Sequence, residues 1–291
     1  MSIRCFQEAI ESDPHYAQPY AGMADAYLTL MDYGHMPQPE ATAKARAMVL
    51  KAIELDESLA EAHTSLGHAA FHDFDWPTAE RELLRGIELN PSYSTARFYY
   101  ANYLAAMARL DAAVHEAEQS TRLDPVSPTM HSNLASMLWF AGNYERSIEQ
   151  AQRSLELNPS FSPAYVDLGR AHEQLGAFDR AIKAFRKAVS LEQRAHSLAS
   201  LAHAYAISGR RDAATKILRR LQQTARKEFI PAYNFALIFM GLGKTDETFQ
   251  WLDKAYEERS GALTHIRVNP RFASVRRDPR FVKLLQRVGL V

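Results

Sequence analysis

The sequence predicts an all-α chain built as a solenoid of helix–turn–helix repeats, and three recurrences at a common spacing carry that reading. Leu89-Asn90-Pro91, Leu123-Asp124-Pro125 and Leu157-Asn158-Pro159 return in steps of 34 residues. Gly67, Ala101, Ala135 and Gly169 keep the same step, as do Ala79, Ala113, Ser147 and Ala181. The three sets mark different points of one period. An internal period of this size is the signature of a supersecondary unit that buries its apolar face only against its neighbours.

Each period reads as helix, tight turn, helix. In the block 162–194, residues 164–176 and 179–191 carry apolar side chains at i, i+3, i+4 and i+7. Gly176 suits the end of the first helix, where a left-handed backbone is cheap for glycine, and Gly142, Gly209 and Gly243 hold the equivalent place elsewhere. The Asn-Pro or Asp-Pro pair stops the second helix, because proline disfavours helical geometry in the residue before it. Alanine, glycine and serine at the recurrent small positions let two helices approach closely.

Spacing and residue types together resemble the tetratricopeptide repeat, whose pattern has a large residue, then Leu-Gly, Tyr, Ala, Phe, Ala and Pro. Tyr165, Leu168-Gly169, Ala181, Phe185 and Ala188 match it within one block. His172 stands where the family has tyrosine, and Gln193 replaces the proline. The resemblance implies a right-handed superhelical α-solenoid closed by a C-terminal capping helix. Full repeats are expected at 17–59, 60–93, 94–127, 128–161, 162–194, 195–228 and 229–260. The first carries an insertion at 32–39 whose Pro, Gly and polar content reads as a loop. The sixth ends Gln222-Gln223-Thr224 without a proline.

Residues 1–16 match only the second helix of a repeat. The missing first helix would leave Phe6 and Ile10 on an uncovered edge, where natural arrays carry polar caps. The expectation is a piece cut from a longer protein, with self-association through that edge as one consequence; a natural single-helix cap is the alternative. Residues 261–291 form the C-terminal cap, with a final helix at 282–288 and Phe272, Phe281, Leu284 and Leu285 sealing the last core. This segment resembles the closing segment of tetratricopeptide arrays in bacterial signalling proteins. In those, a winged-helix, kinase or cyclase module precedes the array.

Composition narrows the function classes. Net charge is zero, which removes the simplest argument for nucleic acid or an anionic membrane as partner. The single cysteine, Cys5, rules out a disulfide framework and a cysteine-based zinc site. No apolar run approaches the roughly 18 residues of a membrane span, and the N-terminus lacks a secretion signal, so the expected location is cytoplasmic. The repeats consume nearly every residue, and no phosphate loop, nucleophile elbow or His-Glu-x-x-His motif is present. No enzyme activity, cofactor or bound metal is expected.

In the family, the first-helix residues that point away from the packing positions line a concave groove for extended peptides or partner helices. The resemblance assigns to it Glu61, His68, Phe71 and His72, then Phe98 and Asn102, Trp139 and Phe140, Arg170 and Glu173, and His203. Aromatic and arginine side chains are common interface anchors, so Trp139→Ala is expected to weaken partner binding without unfolding the chain. The alternative is that Phe71, Trp139 and Phe140 pack internally. The family's carboxylate clamp for chaperone tails needs Lys and Asn at groove positions that here read Thr64/His68, Phe98/Asn102 and Ser132/Ser136, which argues against that ligand. His68 and His72, four apart, could hold a metal only with a third ligand; histidines on a partner-binding face are the simpler reading. The basic run Arg267, Arg271, Arg276, Arg277, Arg280, Lys283 and Arg287 is read as solvated or paired with acids. The function expected is a protein–protein interaction scaffold for a peptide or helix. The alternative is the regulatory, dimerising portion of a larger signalling protein.

Overall fold

The computed structural model describes residues 3–32 and 36–291, so the centre of the expected insertion, residues 33–35, lies outside the described residues. Among the described residues there are sixteen α-helices, two short 3₁₀ segments and no strand. Contacts divide the chain into two compact units, Met1–Leu123 and Asp124–Val291.

In the first unit, α1 (Ile3–Ser12) packs on α2 (Ala17–Asp32). Then follow α3 (Gln38–Leu55), α4 (Ala60–His72), α5 (Trp76–Leu89), α6 (Ser94–Ala106) and α7 (Leu110–Leu123). Helices α2 and α3, α4 and α5, and α6 and α7 pair as hairpins, while α2 touches α4 and α4 touches α6. The core joins Tyr20, Ala24, Leu28, Val49, Leu59 and Leu66.

The second unit repeats this pairing. Its hairpins are α8 (Pro128–Phe140) with α9 (Tyr144–Leu157), α10 (Ser162–Gln174) with α11 (Phe178–Leu191), α12 (Ala195–Ile207) with α13 (Arg211–Thr224), and α14 (Ala232–Gly241) with α15 (Thr245–Glu257). Two 3₁₀ segments, Gly261–Leu263 and Pro270–Val275, lead to α16 (Pro279–Val288). That last helix starts three residues before the expected 282. Proline at its first position needs no N–H partner, and Asp278 caps it by accepting from the Arg280 N–H at 2.9 Å. Phe272, Phe281 and Leu284 are buried, while Leu285 is only half-buried.

The Asn or Asp that follows α3, α5 and α9 does more than end a helix. Its side-chain oxygen accepts the N–H two residues on: Asn90 from Ser92 at 3.2 Å, Asn158 from Ser160 at 3.0 Å, Asp56 from Ser58 at 2.9 Å. This Asx turn satisfies a donor that the turn would otherwise orphan. Ser120 and Ser154 hold their second helices to the start of the paired first helix, donating to the Ser94 carbonyl at 2.9 Å and the Pro128 carbonyl at 2.8 Å. Small residues set the helix separation. A Cβ on Gly169 would land within the Phe185 ring, and one on Gly67 against Leu83.

Candidate functional site

In the first unit the candidate residues sit on α4 and α6. His68 and Phe71 are buried, at 3% and 5% exposure, whereas Glu61, His72, Phe98 and Asn102 are half-buried. Phe71 lies edge-on to Trp76 with ring centres 5.7 Å apart, so it is core rather than an exposed anchor. Asn102 donates its side-chain N–H to the Phe98 carbonyl at 2.8 Å, and Phe98 sits edge-on to Tyr99. Burial, then the nearby Asp25 and Glu61, pushes the Tyr93 hydroxyl up to about 12 against an opposing bond with Thr95. Carboxylates therefore border this face.

At the end of α2 a third residue joins the histidine pair. Nε2 of His72 lies 3.0 Å from Nε2 of His68. One Asp32 carboxylate oxygen is 3.6 Å from His68 Nε2, and the other is 3.5 Å from His72 Nε2. The His68 ring is held by stacking on Tyr99 at 3.8 Å, and burial holds its pKa down at about 3 although Asp32 opposes. Nothing in the sequence pointed to Asp32, since it stands a whole hairpin before the histidines.

In the second unit the candidate residues form a buried polar network. Glu173 on α10 takes two parallel bonds from Arg271, Nε to Oε1 at 2.8 Å and Nη2 to Oε2 at 2.9 Å. Arg271 also donates to Ser200 Oγ at 3.2 Å. His203 Nδ1 lies 3.2 Å from Glu173 Oε1 but is not aligned for a hydrogen bond. The side chains of Arg271 and Glu173 are 2% and 0% exposed. Burial alone would raise the Glu173 pKa; the charges of Arg271 and then His203 reverse this and bring it to about 2. Burial, then Arg170, Arg271 and Arg194, pushes His196 down to about 3.

Trp139 is 1% exposed and donates Nε1–H to the Arg170 carbonyl at 3.2 Å, with the Arg170 guanidinium over its ring at 5.3 Å. It is thus part of the core, because its indole fills the seam between α8 and α10. Phe140 and Arg170 stay half-buried, and Phe140 stacks on His265 at 4.9 Å. Asp167, pushed up by burial despite Arg170, accepts from Ser132 and, at 3.0 Å, from Ser136.

First-helix side chains of α8, α10 and α12 are therefore met by the chain's own residues 265–271. The basic run behaves as read from the sequence only in part. Arg280 pairs with Asp278 and Asp246, and Arg287 with Asp253, whereas Arg271 is buried on a distant glutamate.

Residues 101–160 and 132–197 each match the family model of the tetratricopeptide repeat. Small glutamine-rich tetratricopeptide repeat-containing protein 2 of Mycosarcoma maydis is 30% identical over 125 residues, 41% of this chain and 35% of that protein. The transcriptional regulator HilA of Salmonella typhimurium is 23% identical over 152 residues, 52% of this chain and 27% of HilA. The chain spans about a third of the length of the curated relatives it matches. Among solved structures, the APC/C hetero-tetramer Cut9-Hcn1 shares the fold with a TM-score of 0.66 at 18% identity, over 98% of this chain and 52% of that one. No described helix is long and apolar enough to cross a membrane. Stacked repeats of this kind are built as scaffolds for protein interaction, their surfaces formed by side chains that neighbouring repeats do not cover. Hairpin architecture, repeat chemistry and these likenesses agree: the chain carries tetratricopeptide repeats, matched by the family model over residues 101–197.

Proposed function

We propose that the protein is an interaction scaffold whose partner, a peptide or helix of another protein, seats on the first-helix face of α4 and α6. The observation that carries this reading is the contrast between the two units. Glu61, His72, Phe98 and Asn102 remain partly open on the first. On the second, Phe140 and Glu173 are engaged by His265 and Arg271 of the same chain. Phe98 and its neighbour Tyr99 supply rigid aromatic area at low entropic cost. Asp25 and Glu61 favour a basic residue on the incoming segment.

A pull-down with the wild-type chain beside Phe98→Ala/Glu61→Lys tests this. A partner captured by the wild type should be lost by the variant while circular dichroism stays the same. Equal capture by both would remove α4 and α6 from the binding surface.

A second reading, the regulatory portion of a larger signalling protein, is favoured by the likeness to HilA over half of the chain. Its dimerising version is tested by sedimentation. A strict monomer at high concentration would remove it.

A further inference from the structure

We propose that Asp32, His68 and His72 form a binding site for a divalent transition-metal ion of the zinc class. This inference does not rest on the proposed partner, although His72 belongs to the same first-helix face. The donor atoms converge from two elements: the last residue of α2, and two residues one turn apart on α4. They lie within 4.8 Å of one another. The nearest approaches are 3.0 Å between the rings and 3.5 and 3.6 Å to different Asp32 oxygens, close to the tetrahedral edge of about 3.3 Å that metal–ligand bonds of about 2.0–2.1 Å require. The carboxylate can serve through both oxygens, or through one after a small rotation of a side chain that is 36% exposed.

Hydrogen bonding alone leaves the cluster incomplete. A single proton fits between the two Nε2 atoms, so one ring donates and the other accepts. Both carboxylate oxygens then stay 3.5 Å or more from the nitrogens, too far for a good hydrogen bond. A cation placed among the three satisfies two imidazole lone pairs and a carboxylate at once. Two imidazoles and one carboxylate suit zinc and its neighbours better than magnesium or calcium, which prefer oxygen ligands.

Three protein ligands leave one coordination position for water or an incoming group, as in open zinc sites. The rings are already oriented, His68 by Tyr99 and His72 by its edge contact with Phe71. Among the described residues, however, neither Nδ1 has a hydrogen-bond acceptor. Zinc sites draw part of their affinity from such acceptors, so the ion held here is exchangeable rather than permanent. Its effect is to tie the end of α2 to α4.

Titration calorimetry with zinc and ligand-field spectra with cobalt test the site in the full chain. The wild type should bind one ion at this site and give the strong visible bands of low-coordinate cobalt. Asp32→Asn keeps size and should weaken zinc binding by at least about 10-fold, the loss that removing even an outer-shell partner can produce. His72→Gln should do the same, while His115→Ala, at a separate exposed histidine, should leave affinity unchanged. If His72→Gln loses helical signal, Asp32→Asn carries the test, because its side chain is partly exposed. Zinc affinity equal in the wild type and Asp32→Asn, or no binding by the wild type, overturns the proposal.

Discussion

Ala108 adopts a left-handed backbone, φ 59°, at the point of the period where Gly142 and Gly176 stand in later hairpins at φ 78° and 71°. A Cβ costs about 1–2 kcal/mol in that region, and glycine returns part of the gain through a looser unfolded chain. Ala108→Gly should therefore stabilise the protein by about 0.5–1 kcal/mol in urea unfolding. The Arg271–Glu173 pair works in the opposite direction. Removing one partner of a buried ion pair strands the other, so Arg271→Ala should cost about 3–5 kcal/mol. Glu173→Gln in that background should recover part of the loss. Protons report on the same network. Glu173 has its pKa lowered from 4.5 to about 2, so its contribution is present above 4.5 and is lost as pH falls towards 2. His196 is lowered from 6.5 to about 3; below 6.5 the unfolded chain takes up a proton that the native chain refuses. Both signs agree. Stability should fall as pH drops from about 6.5 to about 2, by up to about 1.4 kcal/mol per pH unit for each proton involved. Chemical denaturation across that range checks the slope.

Between helices, the pairing of Gly169 with Phe185 fixes how closely α10 and α11 approach. Gly169→Ala gains helix propensity but forces the ring aside, and overpacking of this kind costs about 1–3 kcal/mol. A thermal melt should show the net loss. Trp139→Ala belongs at this scale too: emptying the seam between α8 and α10 should cost about 3–5 kcal/mol, so it reads out folding before binding. Hairpins and turns were legible in the sequence because local chemistry makes them. Gly142, Gly176, Gly209 and Gly243 all have positive φ, as their place at helix ends implied. Burial within the first-helix face was not legible. A helical wheel separates a packing side from an open side, but α4, α10 and α12 have neighbours on more than one side. Phe71, Trp139, Glu173 and His203 accordingly lie inside. Asp32 was missed for a related reason, since periodicity within one repeat says nothing of which side chains meet across α2 and α4.

Across the molecule, each compact unit carries its own apolar core, one around Leu28 and Leu66 and the other around Phe185, Leu218 and Phe235. A fragment of residues 124–291 should keep a cooperative thermal transition of its own. Simple nearest-neighbour stacking would make every hairpin interchangeable with the next. The Arg271–Glu173 contact breaks that rule, because it joins residues 98 apart. Solenoids ordinarily lengthen or shorten by duplicating or losing whole modules. Here the guanidinium works as a counter. A 34-residue module inserted between α11 and α12 would carry position 271 away from its glutamate and leave a buried carboxylate without its counter-ion. The stretch from α10 to the C-terminal segment is thus closed to growth by duplication, while the hairpins before α8 lie outside that loop and remain open to it.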